Sequence, residues 1–254
     1  MEFLIWDYAG QHMYRATHQC LFTQQALYLL VFDLTEEVSK STTLLLGWVK
    51  SIQSCIRGAV FLVIGTKRDV VDIDEAREKY DHVLRSLYAY KIKLQAAWER
   101  YDFSPRTTVH YDFMLPPHPD SYEMVDATDC FLLSNLSDET SLDSIEEFKK
   151  ALVRYIEEDE TRIHFPHLHE YRDSDYEKVD KALAQKINPR LKRPPMFVEV
   201  DKVKDEVMLD QQTMHDALMF LHDCGLRIWY PKNSALRRLV FHDPQIVTEF
   251  LQVL

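Results

Sequence analysis

Apolar positions along the chain fall into two rhythms, and the alternation between them predicts the fold. Phe3-Leu4-Ile5-Trp6, Ala26 to Phe32 and Ala59 to Ile64 are continuous apolar runs, the pattern of strands covered on both faces. Each run stops abruptly at polar residues: Asp7, Asp33, and Gly65-Thr66-Lys67-Arg68-Asp69. Between the second and third runs, Leu44, Leu45, Trp48, Val49, Ile52 and Ile56 recur at helical spacing, so the reading is a helix over 41 to 56. Strand, helix, strand at this spacing predicts a right-handed parallel crossover and an α/β fold. Residues 12 to 25 carry no clean period and read as irregular.

Further along, Tyr80, Val83, Leu84, Leu87, Tyr90, Ile92, Leu94 and Trp98 give a charged stretch from Asp74 to Tyr101 a broad apolar face, predicting one long helix. Four prolines over 102 to 128 predict an irregular excursion. A fourth strand is expected at Cys130 to Leu133, running into Ser134-Asn135. A helix follows it, with Ser141 or Asp143 as N-cap and a stripe of Ile145, Phe148, Leu152 and Ile156.

Acids, histidines and Pro166 between Glu157 and Arg172 mark a boundary, so the chain divides into 1–158, with 70–130 as an expanded insertion, and 159–254. In the second part a charged helix at 172 to 187 stops before Asn188-Pro189. A compact unit at 194–254 then reads as a strand at 197 to 200, a linker, and a helix at 210 to 223 capped by Asp210 and closed by Gly225. Two short strands, 226 to 230 and 237 to 241, form a hairpin, and Asp243-Pro244 opens a last helix. Helix plus two-stranded wing is a winged-helix pattern.

Composition narrows the function more than the fold. With 46% hydrophobic and 12% aromatic residues among 254, the chain supports a packed core. Its net charge of -11 argues against a sequence-independent grip on nucleic acid. The four cysteines have no Cys-x-x-Cys spacing and read as buried thiols of a reducing, cytoplasmic compartment. The apolar run from Ala26 to Phe32 falls well short of the roughly 20 residues a membrane span needs, and Glu2 followed directly by a strand leaves no signal-peptide pattern.

Candidate chemistry lies where the apolar runs end. A carboxylate closing a parallel strand sits at the ligand-binding edge of an open α/β sheet. There Asp7 can reach a magnesium-bound water, Gly10 N–H can approach a terminal phosphate, and the Gln11 amide can orient an attacking water. In Thr66-Lys67-Arg68-Asp69 the lysine stem can lie along a planar base, and Asp69 can accept two hydrogen bonds from the ring N–H and exocyclic amine of guanine. Adenine offers no such donor pair. Ser134 and Asn135 supply backbone N–H groups for the base carbonyl. His164, His167 and His169 have no cysteine or paired carboxylate at ligand spacing and read as linker residues, not a metal cluster.

With these residues in place, the chain resembles the Ras-like GTPases, and within them the Roc domain followed by COR, as in the leucine-rich-repeat kinases. The resemblance rests on Trp6-Asp7-Tyr8-Ala9-Gly10-Gln11 with Tyr14, Thr17-His18 and Thr23 to Leu29, on Gly65 to Asp69, and on Leu209 to Pro244, which is similar to the helix, Leu-His-Asp-x-Gly turn and hairpin of COR. It covers nearly the whole chain, with 70 to 130 matching poorly. It implies a partial Ras-like P-loop GTPase sheet followed by an α+β, winged-helix-like COR segment. It also implies that Asp7 holds magnesium through water, that Gly10 touches the γ-phosphate, that Gln11 is catalytic, and that Lys67 and Asp69 read guanine. Thr66 stands where the family has asparagine, removing an amide that braces the phosphate loop.

One element of that family is absent from the sequence. None of the five glycines (Gly10, Gly47, Gly58, Gly65, Gly225) opens a Gly-x-x-x-x-Gly-Lys-Ser/Thr loop, whose N–H groups and lysine hold the β- and γ-phosphates. The expectation is therefore a fragment of a regulatory GTPase. Its full-length parent would bind and hydrolyse GTP with magnesium, while this chain alone would be inactive and would hold GTP or GDP weakly. Protein partners or a homodimer through COR are expected. The alternative is a non-catalytic interaction module that has lost nucleotide binding. A winged-helix DNA binder over 194–254 is disfavoured because Glu199, Asp201, Asp205, Glu206, Asp210, Asp216 and Asp223 offset its lysines and arginines. No His-Arg-Asp or Asp-Phe-Gly motif supports kinase activity.

Overall fold

A computed structural model describes residues 5–7, 21–23, 26–56, 58–100, 122–124, 131–134, 136, 139–157, 174–186 and 195–242. The chain forms two compact units, one of residues 27–165 and one of 1–26 with 166–254.

In the first unit, β1 (Leu27–Asp33) and β2 (Ala59–Thr66) run parallel in a seven-pair register from Leu27 opposite Val60 to Asp33 opposite Thr66, joined by α1 (Val38–Gln53). This is the expected crossover. β2 is buried along nearly its whole length, as its unbroken apolar run requires. β1 departs from that expectation: Tyr28, Leu30 and Phe32 are buried, while Leu29 and Val31 are 40% and 49% exposed. The reason lies in the helix over that face. Phe148, Leu152, Tyr155 and Ile156 of α3 (Glu139–Glu157) pack on Leu27, Val60 and Leu62, leaving the two β1 residues beyond their cover.

The long helix α2 (Ile73–Arg100) buries Ala76, Tyr80, Val83, Leu87 and Leu94. Tyr80 locks it to the sheet by donating its hydroxyl to the Val63 carbonyl at 2.9 Å. The stretch expected to be irregular contains a short strand, β3 (Tyr122–Met124), parallel to the start of β2. Tyr-Glu-Met has no recognisable period at that length, so its pairing comes from the sheet edge and not from local pattern. The expected fourth strand is reduced to a parallel bridge between Gly65 and Leu132. Helix α3 starts at Glu139, so Ser141 and Asp143 lie within it and neither is the N-cap.

In the second unit, α4 (Ser174–Ala184), α5 (Val200–Val207) and α6 (Gln211–Asp223) pack on an antiparallel sheet of order β4 (Phe197–Glu199), β6 (Leu239–Phe241), β5 (Ile228–Trp229). Val179, Leu183, Val203, Met214, Leu218 and Leu221 form its core with Trp229 and Val240. Helix α5 occupies what the sequence reading left as a linker. Its eight residues are mostly charged, but Val200 and Val203 both reach that core. Asp210 caps α6 as expected, accepting from the N–H groups of Gln212 and Thr213 at 2.9 and 3.0 Å. Gly225, at φ +70°, closes the helix in a Schellman motif: Leu226 N–H donates to Leu221 and Gly225 N–H to His222, both at 2.9 Å.

Residues 5–7, expected to end a strand, lie outside any strand. Cys55 is exposed, against the expectation of a buried thiol, because α1 ends two residues before it; Cys224 is half-buried. Cys20, Cys130, the three linker histidines and the expected last helix fall outside the described residues. No helix among the described residues is long and apolar enough to cross a membrane.

Candidate functional site

The site grows out of the C-terminal ends of β1 and β2. Because the two strands are parallel and in register, Asp33 and Thr66 are direct neighbours. The Thr66 hydroxyl donates to the Phe32 carbonyl at 3.0 Å, and Leu34 N–H donates to the Thr66 carbonyl at 3.1 Å. These bonds tie the start of the Thr66–Asp69 loop to the end of β1. The other side of the loop is tied to residues 131–133. Gly65 N–H donates to Phe131, Leu133 N–H to Gly65, and Arg68 N–H to Leu133, at 2.9, 2.7 and 3.1 Å. Ser134, which is buried, follows directly, and its hydroxyl accepts from Leu136 N–H at 3.3 Å.

Gly65 is where this convergence is tightest. A methyl group there would lie 3.0 Å from one Leu34 methyl and 3.1 Å from one of Leu132, so a side chain at this position would push both neighbours back from the strand end. Lys67 then turns the chain in the left-handed region, at φ +61°, a conformation uncommon for a residue with a Cβ. A short 3-10 turn at Arg68–Val70 follows, braced by the Arg68 guanidinium on the Val71 carbonyl at 3.0 Å. Lys67 and Asp69 project outward and are exposed.

The electrostatic centre of the loop is a residue the sequence reading did not assign to the site. The Lys67 ammonium lies 2.6 Å from Asp33 Oδ2. The other carboxylate oxygen accepts from Thr35 N–H at 2.8 Å and from the Thr35 hydroxyl at 2.6 Å. Burial pushes the Asp33 carboxyl up, but hydrogen bonds from Lys67 and Thr35, with the lysine charge, outweigh it and bring it down to about 2. The same hydrogen bond, and then the Asp33 charge, raise Lys67 above the ordinary lysine range. A signal was present in the sequence: an aspartate closing an apolar run with threonine two residues on is the pattern of an Asx or ST turn.

Of the residues expected at the site, the structure brings Thr66, Lys67, Asp69 and Ser134 to one sheet edge. Gly10, Gln11 and Asn135 lie outside the described residues. Asp7 is exposed and belongs to the other compact unit. Among the described residues no group of three or more His, Cys, Asp or Glu is placed to hold a metal ion.

An exposed carboxylate two residues beyond an anchored lysine, on a loop fixed between two strand ends, suits a flat heterocycle with paired N–H donors. Among the described residues, Lys67 and Asp69 offer the apolar stem and the paired acceptors that such a heterocycle needs.

Comparison with known proteins places part of the chain beside one family. Residues 1–69 match the family model described as "Ras of Complex, Roc, domain of DAPkinase". The chain is 35% identical over 86 residues to the probable serine/threonine-protein kinase roco6 of Dictyostelium discoideum, covering 34% of this chain and 4% of that protein. It is 25% identical over 260 residues to leucine-rich repeat serine/threonine-protein kinase 1 of Mus musculus, covering 99% of this chain and 12% of that protein. Human Ras-related protein Rab-22A is 37% identical over 79 residues, 31% of this chain and 40% of its own length. The chain therefore spans only a small part of the kinases it matches.

Proposed function

We propose that this chain, a member of the Roc-COR family, is part of a GTP-binding regulatory protein, and that its own contribution is to recognise the guanine base. The observation that carries the reading is the fixation of the Thr66–Asp69 loop between the ends of β1 and residues 131–133. Asp69 would accept the two N–H donors of guanine, the Lys67 stem would lie along the ring, and backbone N–H groups at Ser134 and Asn135 would meet the base carbonyl.

Binding and hydrolysis of GTP with magnesium are proposed for a longer parent. Asp7 would hold the metal through water there, with Gly10 at the γ-phosphate and Gln11 orienting water. Within these 254 residues no Gly-x-x-x-x-Gly-Lys-Ser/Thr sequence occurs, so these roles are proposed for the longer parent and not for this chain alone. Residues 1–158 are proposed as the Roc-type part and 159–254 as the first part of COR, with a winged-helix-like unit that docks protein partners or a second copy in the cytoplasm. The acids on and around α5 and α6 favour protein over DNA at that unit.

The test is base selectivity on the full chain. Guanosine binding is expected at about millimolar dissociation constants, the range of a few hydrogen bonds without phosphate contacts, with adenosine weaker. Asp69→Asn should lose guanosine and gain xanthosine, because an amide pairs with one ring N–H and one carbonyl. Equal binding of guanosine and adenosine by the wild-type chain would refute base recognition, and micromolar GTP binding would refute the assignment of the phosphate grip to a parent. A native transcript coding for this chain alone would favour the second reading, a non-catalytic interaction module.

A further inference from the structure

Asp33 is left without a role by base recognition as described above, yet its carboxylate is held on both oxygens. Three donors converge on its carboxylate: the Lys67 ammonium on one oxygen, and the N–H and hydroxyl of Thr35 on the other. The threonine bonds are local and fix the carboxylate in one orientation before the lysine arrives. The lysine bond spans 34 residues of sequence, joining the end of β1 to the loop after β2.

An exposed lysine ordinarily samples many rotamers. Lys67 is held at both ends. Its backbone sits in the left-handed region, with Val70 N–H donating to its carbonyl at 3.3 Å and the next residue bonded to Leu133. Its ammonium is held by Asp33. Between these anchors 59% of the side chain remains exposed, whereas Asp33 is 27% exposed. The four-carbon stem is thus a fixed apolar surface open to solvent, next to the exposed carboxylate of Asp69.

We infer that Asp33, oriented by Thr35, is a positioning residue of the base site, holding the Lys67 ammonium so that the lysine stem forms a preorganised shelf for the guanine ring. The inference rests on the base-recognition reading above. Asp33 touches no part of the ligand and acts only through Lys67. Binding to a shelf already in place does not pay the ordering of a free lysine, and this is the physical content of the effect.

The experiment uses the full 254-residue chain, guanosine and adenosine as uncharged probes, and NMR titration at fixed ionic strength. Asp33→Asn keeps an oxygen for Thr35 but removes the charge that holds the ammonium. It should weaken guanosine about five- to tenfold, the order expected from freeing one lysine side chain, with amide exchange of β1 and β2 unchanged. Thr35→Val should weaken it in the same direction by less, and Asp33→Glu should restore part of the loss. In a Lys67→Ala background, Asp33→Asn should have no further effect, which shows that the loss runs through Lys67, while the unchanged amide exchange of β1 and β2 separates positioning from a merely structural cross-link. Because guanosine is neutral, wild-type binding should also weaken with added salt as the ion pair is screened, and the Asp33→Asn chain should not show this dependence.

If Asp33→Asn binds guanosine as the wild type does, or weakens it equally with and without Lys67, Asp33 is not a positioning residue, while base recognition stands. If the wild-type chain does not distinguish guanosine from adenosine, base recognition fails and this inference fails with it.

Discussion

Substituting Gly65 tests whether the strand end that carries the loop is as tightly closed as its geometry indicates. A Cβ at Gly65 would sit 3.0 and 3.2 Å from two atoms of Leu34 and 3.1 Å from Leu132. Leu34 is fully buried, whereas Leu132 is only half-buried and can yield more easily. Backbone retreat is blocked as well, since both the N–H and the carbonyl of Gly65 are bonded to the 131–133 segment. Gly65→Ala should therefore destabilise the 27–165 unit by about 1–3 kcal/mol, the usual cost of one excess methyl in a closed core. Leu34→Ala alone should cost about 2–5 kcal/mol through the cavity it leaves. In the double variant the added methyl occupies part of that cavity. The combined cost should then fall below the sum of the two by about 1 kcal/mol or more. Hydrogen exchange of the β2 amides measures this within the unit itself, independently of the rest of the chain. Additivity within about 0.5 kcal/mol would show that the clash is not with Leu34 and would refute the account of why glycine stands there.

The second unit should show a pH dependence through His222. Burial of its imidazole first, opposed by the charge of Asp223 and a backbone hydrogen bond at Arg227, lowers its pKa below the ordinary 6.5. A lowered histidine binds fewer protons folded than unfolded. Its contribution is therefore complete above about pH 6.5 and is lost as pH falls through the folded value. Its Nδ1 also accepts from Trp229 N–H at 3.4 Å, a bond protonation removes. Urea melts between pH 7.5 and 5 should show falling stability of this unit in the wild type and a flatter profile in His222→Gln. Asp210→Ala should lower exchange protection at Gln212 and Thr213, the two amides its carboxylate accepts from, while Asp210→Asn should retain most of it. Equal loss in both variants would assign the effect to charge alone and not to the cap bond.

Much of this fold was legible because long periodic segments carry their own evidence. The strand at 59–66 and the helix at 73–100 follow from their runs with shifts of a residue or two at the ends. The α6 cap and the closing Gly225 follow from local hydrogen-bond chemistry. What escaped was decided at a distance. The three residues of β3 become a strand only because β2 offers an edge. Val200 and Val203 make α5 a helix by reaching a core assembled from α4, α6 and the sheet. The site divides in the same way. Thr66, Lys67, Asp69 and Ser134 were readable as strand-end residues. The ion pair between Asp33 and Lys67 was not, because it joins positions 34 apart and depends on the parallel register.

On the base recognition proposed above, the left-handed backbone at Lys67 sets stability and binding against each other at a single codon. Glycine or asparagine would adopt φ +61° with less strain than lysine. A variant library sorted for thermal resistance alone should therefore drift away from lysine at this position. The same library sorted for guanosine retention should keep it. Directed evolution of this chain would thus report at residue 67 which of the two pressures had been applied.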